Sequence, residues 1–338
     1  MRLVEDGPLA AAGVAIRRPI RVVAAGGGTG LPRVLAGLAA GIDPEEQRAV
    51  EVTAVVTTAD DGGSSGALRR AFGVPAAGDV RNCLVALAEG ANPLAAVFQH
   101  RFEGGDPALA GHVVGNLVLT ALSQRLGGFN EAVAAAAALL GVRGRVLPAS
   151  DGPVELVARL EDGRTVRGET RIARAGGRVS ELRLATPAAA PRAAIDAVLA
   201  ADVVVLGPGS LYSSVLASLV PRGMPEALHA TGATRVLVVN LLTQPGETDG
   251  YSAADHVRAI RAHLGDVVDV ALVHRGPLPD PVLAAHAGEG ARPVEADRAE
   301  LEALGAAPVV LDLLAAGALA RHDPHKLARA LLALARGR

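Results

Sequence analysis

The sequence predicts an α/β fold in which a parallel sheet is flanked by helices and carries a small β-rich insertion. Short apolar runs alternate with segments of helical periodicity, as they do in chains that build parallel sheets. Several of these runs end in a glycine-rich polar loop before a helix begins. The chain has 338 residues, of which 50% are hydrophobic, so it can bury a large core.

The first unit of the chain has the order strand, helix, strand. Residues 20–24 are apolar, a glycine turn follows, and residues 31–40 are predicted to be helical. Residues 50–57 are rich in β-branched side chains, which is typical of a buried strand. A unit of this length places its two strands in parallel. Further helices are predicted at residues 80–88, 116–126 and 131–140.

The β-rich insertion is predicted at about residues 144–187. Residues 154–160 and 165–172 flank Glu161, Asp162 and Gly163, a combination typical of a hairpin turn. A third short strand is predicted at residues 179–184, where apolar and polar side chains alternate.

The second half of the chain returns to alternating strands and helices. Its strands are predicted at residues 203–206, 235–240, 268–273 and 308–311. We therefore expect a single domain over residues 19–338, preceded by a poorly ordered tail at residues 1–18.

Composition excludes several classes of function. The formal net charge is -2 and only 2% of residues are aromatic, so neither a basic patch nor a stacking platform for nucleic acid is expected. No apolar run approaches the roughly 20 residues of a membrane span. The single cysteine, Cys83, excludes an intramolecular disulfide and favours a reducing cytoplasm.

The loops after the strands carry the candidate chemistry. Ligands of open parallel sheets bind beyond the carboxyl ends of the strands. The loops at residues 26–30, 58–66, 207–212 and 240–248 are therefore predicted to face one cleft. The plainer alternative for each of them is an ordinary connection without a ligand.

The glycine turn, GGGTGL, lets a phosphate approach backbone N–H groups at a helix N-terminus. It fails the dinucleotide fingerprint, because Leu31 stands where the last glycine is required, which disfavours a nicotinamide oxidoreductase. No lysine follows the glycines, so the turn is not a P-loop either. Phosphate or diphosphate binding is favoured over a tight turn without a ligand.

The second loop contains the adjacent carboxylates Asp60 and Asp61. Their mutual repulsion calls for hydrogen-bond donors or a cation such as Mg²⁺, although an Asx-turn with a helix cap is the simpler explanation. A literal G-x-S-x-G at residues 62–66 raises a serine hydrolase as an alternative. That alternative is disfavoured, because the four polar or small residues at positions 59–62 intervene after Thr58, whereas a nucleophile elbow follows its strand directly.

Three further segments have polar groups at predicted helix starts or strand ends. Asp79 is a predicted N-cap, and Arg81 in the first turn of the same helix opposes the helix dipole. This indicates an anionic partner elsewhere, the plainer alternative being an exposed or salt-bridged arginine. A lone histidine such as His112 is more often structural than catalytic, so we expect a structural role for it. Asp323 is predicted to cap the last helix, with Arg321 just before it, within reach of a ligand phosphate.

Taken in order, these segments resemble the gluconeogenesis factor family, whose members are also called YvcK-type proteins. The resemblance rests on GGGTGL, TTADDGGSSGALR, GDVRNCLVAL, HVVGNLVL, GPGSLYSSV, NLLTQPGETDGYSAADHV and RHDP, and covers the chain from about Arg18 onward. It implies a Rossmann-like fold and binding of a UDP-sugar, notably UDP-N-acetylglucosamine. It also implies a regulatory role in cell shape, envelope synthesis and growth on gluconeogenic carbon sources.

The family shares a superfamily with 2-phospho-L-lactate transferase, and an enzyme of that type is therefore the alternative function. Such an enzyme uses a guanosine diphosphate-activated phospholactate and a deazaflavin acceptor with Mg²⁺, which Asp60 or Asp61 would contact. We favour a binding protein that requires no cofactor and leave catalysis open. The resemblance also leaves open a homodimer and does not identify a regulatory protein partner.

In the favoured interpretation, backbone amides of residues 27–30 and of Gly209 and Ser210 hold the diphosphate. Asp60, Asn240, Thr243 and Gln244 contact sugar or base, and Arg321 supplies charge. The full predicted ligand-binding set is Gly27, Gly28, Thr29, Gly30, Leu31, Asp60, Asp61, Ser64, Arg81, Asn82, Asn116, Gly207, Gly209, Ser210, Tyr212, Asn240, Thr243, Gln244 and Arg321.

Overall fold

A computed structural model describes residues 18–90, 92–106 and 108–336. Apart from Arg18, the predicted tail at residues 1–18 lies outside the described residues. The strands are β1 Ile20–Gly26, β2 Ile42–Asp43, β3 Arg48–Val56, β4 Arg145–Pro148, β5 Leu156–Leu160, β6 Thr165–Arg167, β7 Val179–Leu184, β8 Val203–Leu206, β9 Thr234–Val238, β10 Val270–His274 and β11 Ala307–Leu311.

Helices connect most of these strands. They are α1 Leu31–Leu38, α2 Gly63–Phe72, α3 Gly78–Ala86, α4 Pro93–Gln99, α5 Val114–Leu126, α6 Phe129–Leu140, α7 Glu169–Ile172, α8 Arg192–Ala200, α9 Ala217–Leu219, α10 Met224–Ala230, α11 Ala253–Leu264, α12 Asp280–His286, α13 Arg298–Ala303 and α14 Pro324–Arg336. A π-helical turn spans Leu211–Leu216, and a 3₁₀ turn spans Ala287–Glu289.

The main sheet confirms the predicted α/β class. Its parallel strands have the order β11-β10-β9-β8-β1-β3, with β4 parallel to β3 at the edge and the short β2 antiparallel to the start of β3. From β1 the chain crosses to β3 on one side, whereas β8 lies on the other side of β1. The strand order therefore reverses between β1 and β8, which is where open α/β sheets bind their ligands.

Both faces of the sheet are buried. Alternate side chains of β1 enter two different apolar clusters, Val23 on one face and Val22 on the other. Such double burial explains why the central strands are continuous apolar runs rather than alternating ones. In the part of the chain that the structure describes, no helix is long and apolar enough to cross a membrane.

The insertion is smaller than the sequence predicts. It consists of a separate antiparallel sheet of order β6-β5-β7, which confirms the hairpin and the third strand. Residues 145–148 belong instead to the main sheet as β4, because they return from α6 to pair with β3. The predicted strand 165–172 ends at Arg167, and α7 follows it.

Candidate functional site

Three of the four predicted loops line one cavity of about 650 Å³. These loops follow β1, β8 and β9, and the segment before α14 also contributes to the lining. Nine of the predicted residues line it: Gly28, Thr29, Gly30, Gly209, Ser210, Asn240, Thr243, Gln244 and Arg321. Its position at the reversal of strand order matches the general rule for ligand sites in open α/β sheets.

The loop at residues 58–66 is not part of this lining. It lies beyond the glycine turn, where Thr57 and Asp79 contact the turn; a Cβ on Gly27 would lie 2.6 Å from Thr57 Cγ2 and 2.4 Å from Asp79 Oδ2. The structure therefore divides the predicted site into a cavity side and a second polar region behind the turn.

The glycine turn requires glycine for two different reasons. Gly28 has a φ of +63°, a left-handed conformation that glycine adopts at no steric cost. Gly30 has an ordinary φ of -76°, but a Cβ there would lie 2.2 Å from the carbonyl oxygen of Pro208. The close approach of the β1 and β8 loops therefore depends on the missing side chain of Gly30.

We expect Gly30→Ala to lower the free energy of unfolding by about 1–3 kcal/mol, because the methyl group overpacks a backbone contact that has no flexible side chain to yield. Gly232→Ala is the matched control, since a Cβ at Gly232 meets nothing within 4 Å. Urea unfolding monitored by circular dichroism measures both variants. Equal stabilities of the two variants would contradict the role of this close approach.

Asp79 accepts a hydrogen bond from one of the backbone N–H groups that were predicted to bind phosphate. The Gly28 N–H donates to Asp79 Oδ2 at 2.8 Å. The prediction that Asp79 is an N-cap is wrong, because α3 begins at Gly78 with Ala77 as its N-cap. Burial raises the pKa of Asp79 to about 6, against the lowering effect of the Gly28 hydrogen bond; the nearby Asp60 raises it further.

Asn240 holds the loop after β8 in place. Its Oδ1 accepts a hydrogen bond from the Gly209 N–H at 3.1 Å, and its Nδ2 donates to the Gly209 carbonyl oxygen at 2.8 Å. Ser210 Oγ donates to Gln244 Oε1 at 2.6 Å. The structure thus brings these predicted site residues together, and their hydrogen bonds connect the loop after β8 to the loop after β9.

Thr243 and Tyr212 are engaged inside the protein. Thr243 Oγ1 accepts from the Arg292 N–H at 3.0 Å, so this hydroxyl fastens the loop to the chain around Arg292. Tyr212 is 1% exposed, and its hydroxyl lies 2.9 Å from that of Tyr251. The structure therefore places the Tyr212 side chain in the core and away from the cavity.

Glu247 is a buried residue that the sequence analysis did not single out. Its Oε1 accepts hydrogen bonds from the N–H groups of Tyr212 at 2.7 Å and Ser213 at 2.9 Å. The carboxylate therefore satisfies the first turn of the π-helical segment after β8. Nothing in the local sequence distinguishes this glutamate from an exposed loop residue.

The carboxylates of Asp60 and Asp61 turn toward different segments. Asp61 Oδ1 accepts from Thr170 N at 2.9 Å and Thr170 Oγ1 at 2.6 Å, which fastens the insertion to this loop. Asp60 Oδ1 accepts from the Gly62 N–H at 2.8 Å, as an Asx-turn does. Burial, followed by the charges of Asp60 and Asp61, raises the pKa of Glu169 to about 7.

Arg81, Asn82 and Asn116 form a buried network behind the turn. Arg81 is 7% exposed, and it donates to Asn116 Oδ1 and Asn82 Oδ1, both at 2.7 Å. Burial and the charge of Arg101 lower the pKa of Arg81. Among the described residues, its hydrogen-bond partners are thus side-chain amides rather than the anionic group that the sequence predicts.

Ser64 does not sit on a nucleophile elbow. It lies in the first turn of α2, with Oγ 3.1 Å from His112 Nδ1 and accepting from the Val113 N–H at 3.2 Å. Ser64 is buried, and its hydroxyl connects α2 to the segment before α5. Gly27, Leu31 and Gly207 also lie outside the cavity lining, and Leu31, the first residue of α1, is fully buried in the core.

Two arginines and a buried histidine also line the cavity. Arg33 of α1 lines the cavity beside Arg321 and His322. The predicted cap of α14 is confirmed, since Asp323 Oδ1 accepts from the N–H groups of His325 and Lys326. Arg33 is not among the predicted residues. The signal that singled out Arg81, a cation in the first turn of a helix, is also present at Arg33 in the first turn of α1.

The comparisons with known proteins agree with this architecture. A family model described as 2-phospho-L-lactate transferase CofD matches residues 22–314. The gluconeogenesis factor of Halalkalibacterium halodurans is 44% identical over 92% of this chain and 95% of its own length. The gluconeogenesis factor of Bacillus subtilis is 42% identical over 91% of this chain and 96% of its own length.

A solved structure shows the same fold. The crystal structure of a Bacillus halodurans protein matches with a TM-score of 0.88 and 42% sequence identity. The match covers 93% of this chain and 100% of that chain. The main sheet, the insertion and the loops around the cavity are therefore similar to an architecture already observed by crystallography.

Proposed function

Since the chain belongs to the 2-phospho-L-lactate transferase CofD family and is similar throughout to its gluconeogenesis factors, we propose that it is a regulatory protein that binds a UDP-sugar. UDP-N-acetylglucosamine is the proposed ligand, and cell shape, envelope synthesis and gluconeogenic growth are the proposed outputs. The observation that carries the proposal is the cavity of about 650 Å³ at the reversal of strand order. Its volume lies within the range of small-molecule sites.

The polar groups of the cavity suit a diphosphate at one end and a uridine or sugar at the other. Arg33 and Arg321 supply positive charge beside the glycine turn. The N–H groups of Thr29 and Gly30 donate to no acceptor within the described part of the chain, unlike that of Gly28. Gln244 Oε1 accepts from Ser210, which leaves the Gln244 amide N–H groups for a ligand oxygen.

As a regulator, the protein would act by changing the affinity of a protein partner when the ligand binds. The proposal keeps the cytoplasmic location that the single cysteine predicts. It requires no cofactor, because binding and release of the ligand are sufficient for such a switch.

Titration with UDP-N-acetylglucosamine tests the proposal. A ligand at one hundred times its Kd stabilises the folded state by about 2.7 kcal/mol, so we expect a clear rise in the unfolding temperature. A series of other UDP-sugars and ADP-glucose shows which parts of the ligand are recognised. If the whole series leaves both the unfolding temperature and the calorimetric heat unchanged, the proposal is wrong.

The second candidate is a phospholactate transferase-type enzyme with Mg²⁺, and the acidic region behind the turn favours it. The charge of Asp60 contributes to raising the pKa of both Asp79 and Glu169, and this repulsion is one that a cation would relieve. Asp60 fits a Mg²⁺ contact, since only its Oδ1 receives a hydrogen bond in the described structure. Asp61 does not fit, because Oδ1 binds Thr170 and Oδ2 faces the Gly168 backbone.

Within the described residues, no three His, Cys, Asp or Glu side chains come close enough to hold a metal by themselves. Mg²⁺ is commonly held by one or two carboxylates together with substrate phosphates and water, so the donor set remains compatible with this candidate. Incubation with the guanosine diphosphate-activated phospholactate, a deazaflavin and Mg²⁺, followed by mass spectrometry, separates the two functions. Product at ordinary enzymatic rates would replace the regulatory proposal.

A further inference from the structure

Two guanidinium groups face the cavity from different elements of the fold. Arg33 projects from the first turn of α1, and Arg321 belongs to the exposed segment before α14. Arg33 Nη1 lies 3.5 Å from the carbonyl oxygen of His322, which places the Arg33 side chain beside the segment that carries Arg321. The two positive charges are therefore neighbours on one wall.

The two neighbouring guanidinium groups repel one another. Burial and the charge of Arg321 both lower the pKa of Arg33. Arg33 also stands at the positive end of the α1 dipole, in a first turn that contains no acidic residue. Among the described residues, neither guanidinium lies within salt-bridge distance of a carboxylate, although Asp323 is near enough to Arg33 to oppose part of the effect.

The carboxylates near the cavity have other partners. Asp323 accepts from the N–H groups at the start of α14, and Glu289 Oε2 lies 2.9 Å from His286 Nδ1. A buried polar atom also lies at this wall: His322 is 6% exposed, and its Nε2 has no partner among the described residues. Among the described residues, the wall therefore carries two cations that have no salt-bridge partner and one buried ring nitrogen that has no hydrogen-bond partner.

We propose that Arg33 and Arg321 form a two-arginine clamp for the phosphate charge of the ligand, so that Arg33 is a ligand-binding residue. The planar guanidinium presents two parallel N–H donors, which match phosphate oxygens better than the point charge of a lysine does. Two guanidinium groups from different elements can each pair with a separate phosphate group, so the clamp suits the two phosphates of a nucleoside diphosphate sugar.

This inference deepens the proposed function, because it concerns the same cavity. Its test uses two probes, UDP-N-acetylglucosamine and inorganic pyrophosphate, measured by calorimetry on the full chain. We expect Arg33→Gln to weaken binding of both by about tenfold or more, as loss of a charge-assisted hydrogen bond does. Arg33→Lys is expected to restore part of the affinity, and the dependence of Kd on salt should become weaker in Arg33→Gln.

Arg329→Gln is the matched control. Arg329 is an exposed arginine of α14 outside this cavity, so the same charge is removed without touching the clamp. Unfolding temperatures of all variants show whether they are folded, and we expect them to be similar because Arg33 is half-buried and forms no salt bridge with a described residue. Equal binding by wild type and Arg33→Gln, or an equal loss in Arg329→Gln, would overturn the clamp.

The two probes separate failure of the clamp from failure of the proposed function. If wild type binds pyrophosphate but not UDP-N-acetylglucosamine, and Arg33→Gln weakens pyrophosphate binding, the clamp is supported and the proposal of a UDP-sugar ligand is wrong. If UDP-N-acetylglucosamine binds wild type and Arg33→Gln equally well, the UDP-sugar stands and the clamp is wrong. If neither probe binds wild type, both are wrong.

Discussion

Replacement of Glu247 by alanine is expected to lower the free energy of unfolding by about 3–4 kcal/mol. The substitution removes the acceptor of two backbone N–H groups, those of Tyr212 and Ser213, at a position that is only 1% exposed. Each buried donor left without a partner costs about 1–3 kcal/mol. Part of the loss is offset, because burial raises the pKa of Glu247 and its charge is therefore itself unfavourable in the folded protein.

Glu226→Ala is the matched control for this prediction. Glu226 also accepts a backbone N–H at the start of a helix, that of Gly223 at 2.9 Å, but it is exposed. Water can solvate the freed N–H there, so we expect a loss of about 0.5–1 kcal/mol. Urea unfolding at neutral pH measures both variants, and equal losses would show that the burial of Glu247 is unimportant.

Glu247→Ala is also expected to disturb the cavity. The Glu247 carboxylate joins the loop after β9 to the π-helical segment after β8, and both loops line the cavity. A variant that is still folded at low temperature should therefore bind any ligand of the cavity less tightly than wild type does. Calorimetry well below the unfolding temperature measures this second effect.

Replacement of Asp79 by asparagine is expected to remove much of the pH dependence of stability between about pH 4 and pH 7. Asparagine retains an oxygen for the Gly28 N–H but carries no charge. Burial raises the pKa of Asp79 to about 6 from an unfolded value near 3.8, so the folded state binds more protons in this range. The stabilising contribution of the proton is complete below about pH 4 and is lost as the pH rises through 6.

A pKa difference of roughly two units corresponds to about 3 kcal/mol, so the advantage of Asp79→Asn over wild type should grow by about 2–3 kcal/mol from pH 4 to pH 7.5. Urea unfolding across this range measures the difference. Asp280→Asn, at an exposed position on α12, is the control and should follow the wild-type curve. If the free energy of unfolding changes with pH in the same way in wild type and in Asp79→Asn, the raised pKa of the buried Asp79 carboxyl is wrong.

Some pH dependence should survive in Asp79→Asn, because Glu169 acts in the same direction. Its pKa is raised to about 7 by burial and by the charges of Asp60 and Asp61. The residual loss of stability is therefore expected nearer neutral pH than the part that Asp79 contributes. This ordering along the pH axis distinguishes the two carboxylates within one experiment.

The sequence by itself determined the α/β class, most strands and the loops that matter. Residues 203–206 are a strand in both the prediction and the structure, since a central strand buried on both faces must be a short apolar run. The loops of β1, β8 and β9 were also predictable, because parallel strands bring their carboxyl ends to one edge. These features follow from local periodicity and from one general rule of topology.

Only the tertiary structure decided which groups in those loops are available to a ligand. Asp79 reaches back 51 residues to the Gly28 N–H, and Asn240 occupies the Gly209 N–H from 31 residues away. Tyr212 and Glu247 are buried where their loops suggested exposure, whereas Arg33 stands open at the cavity wall. Such pairings depend on distances between segments far apart in the chain, and neither composition nor spacing encodes those distances.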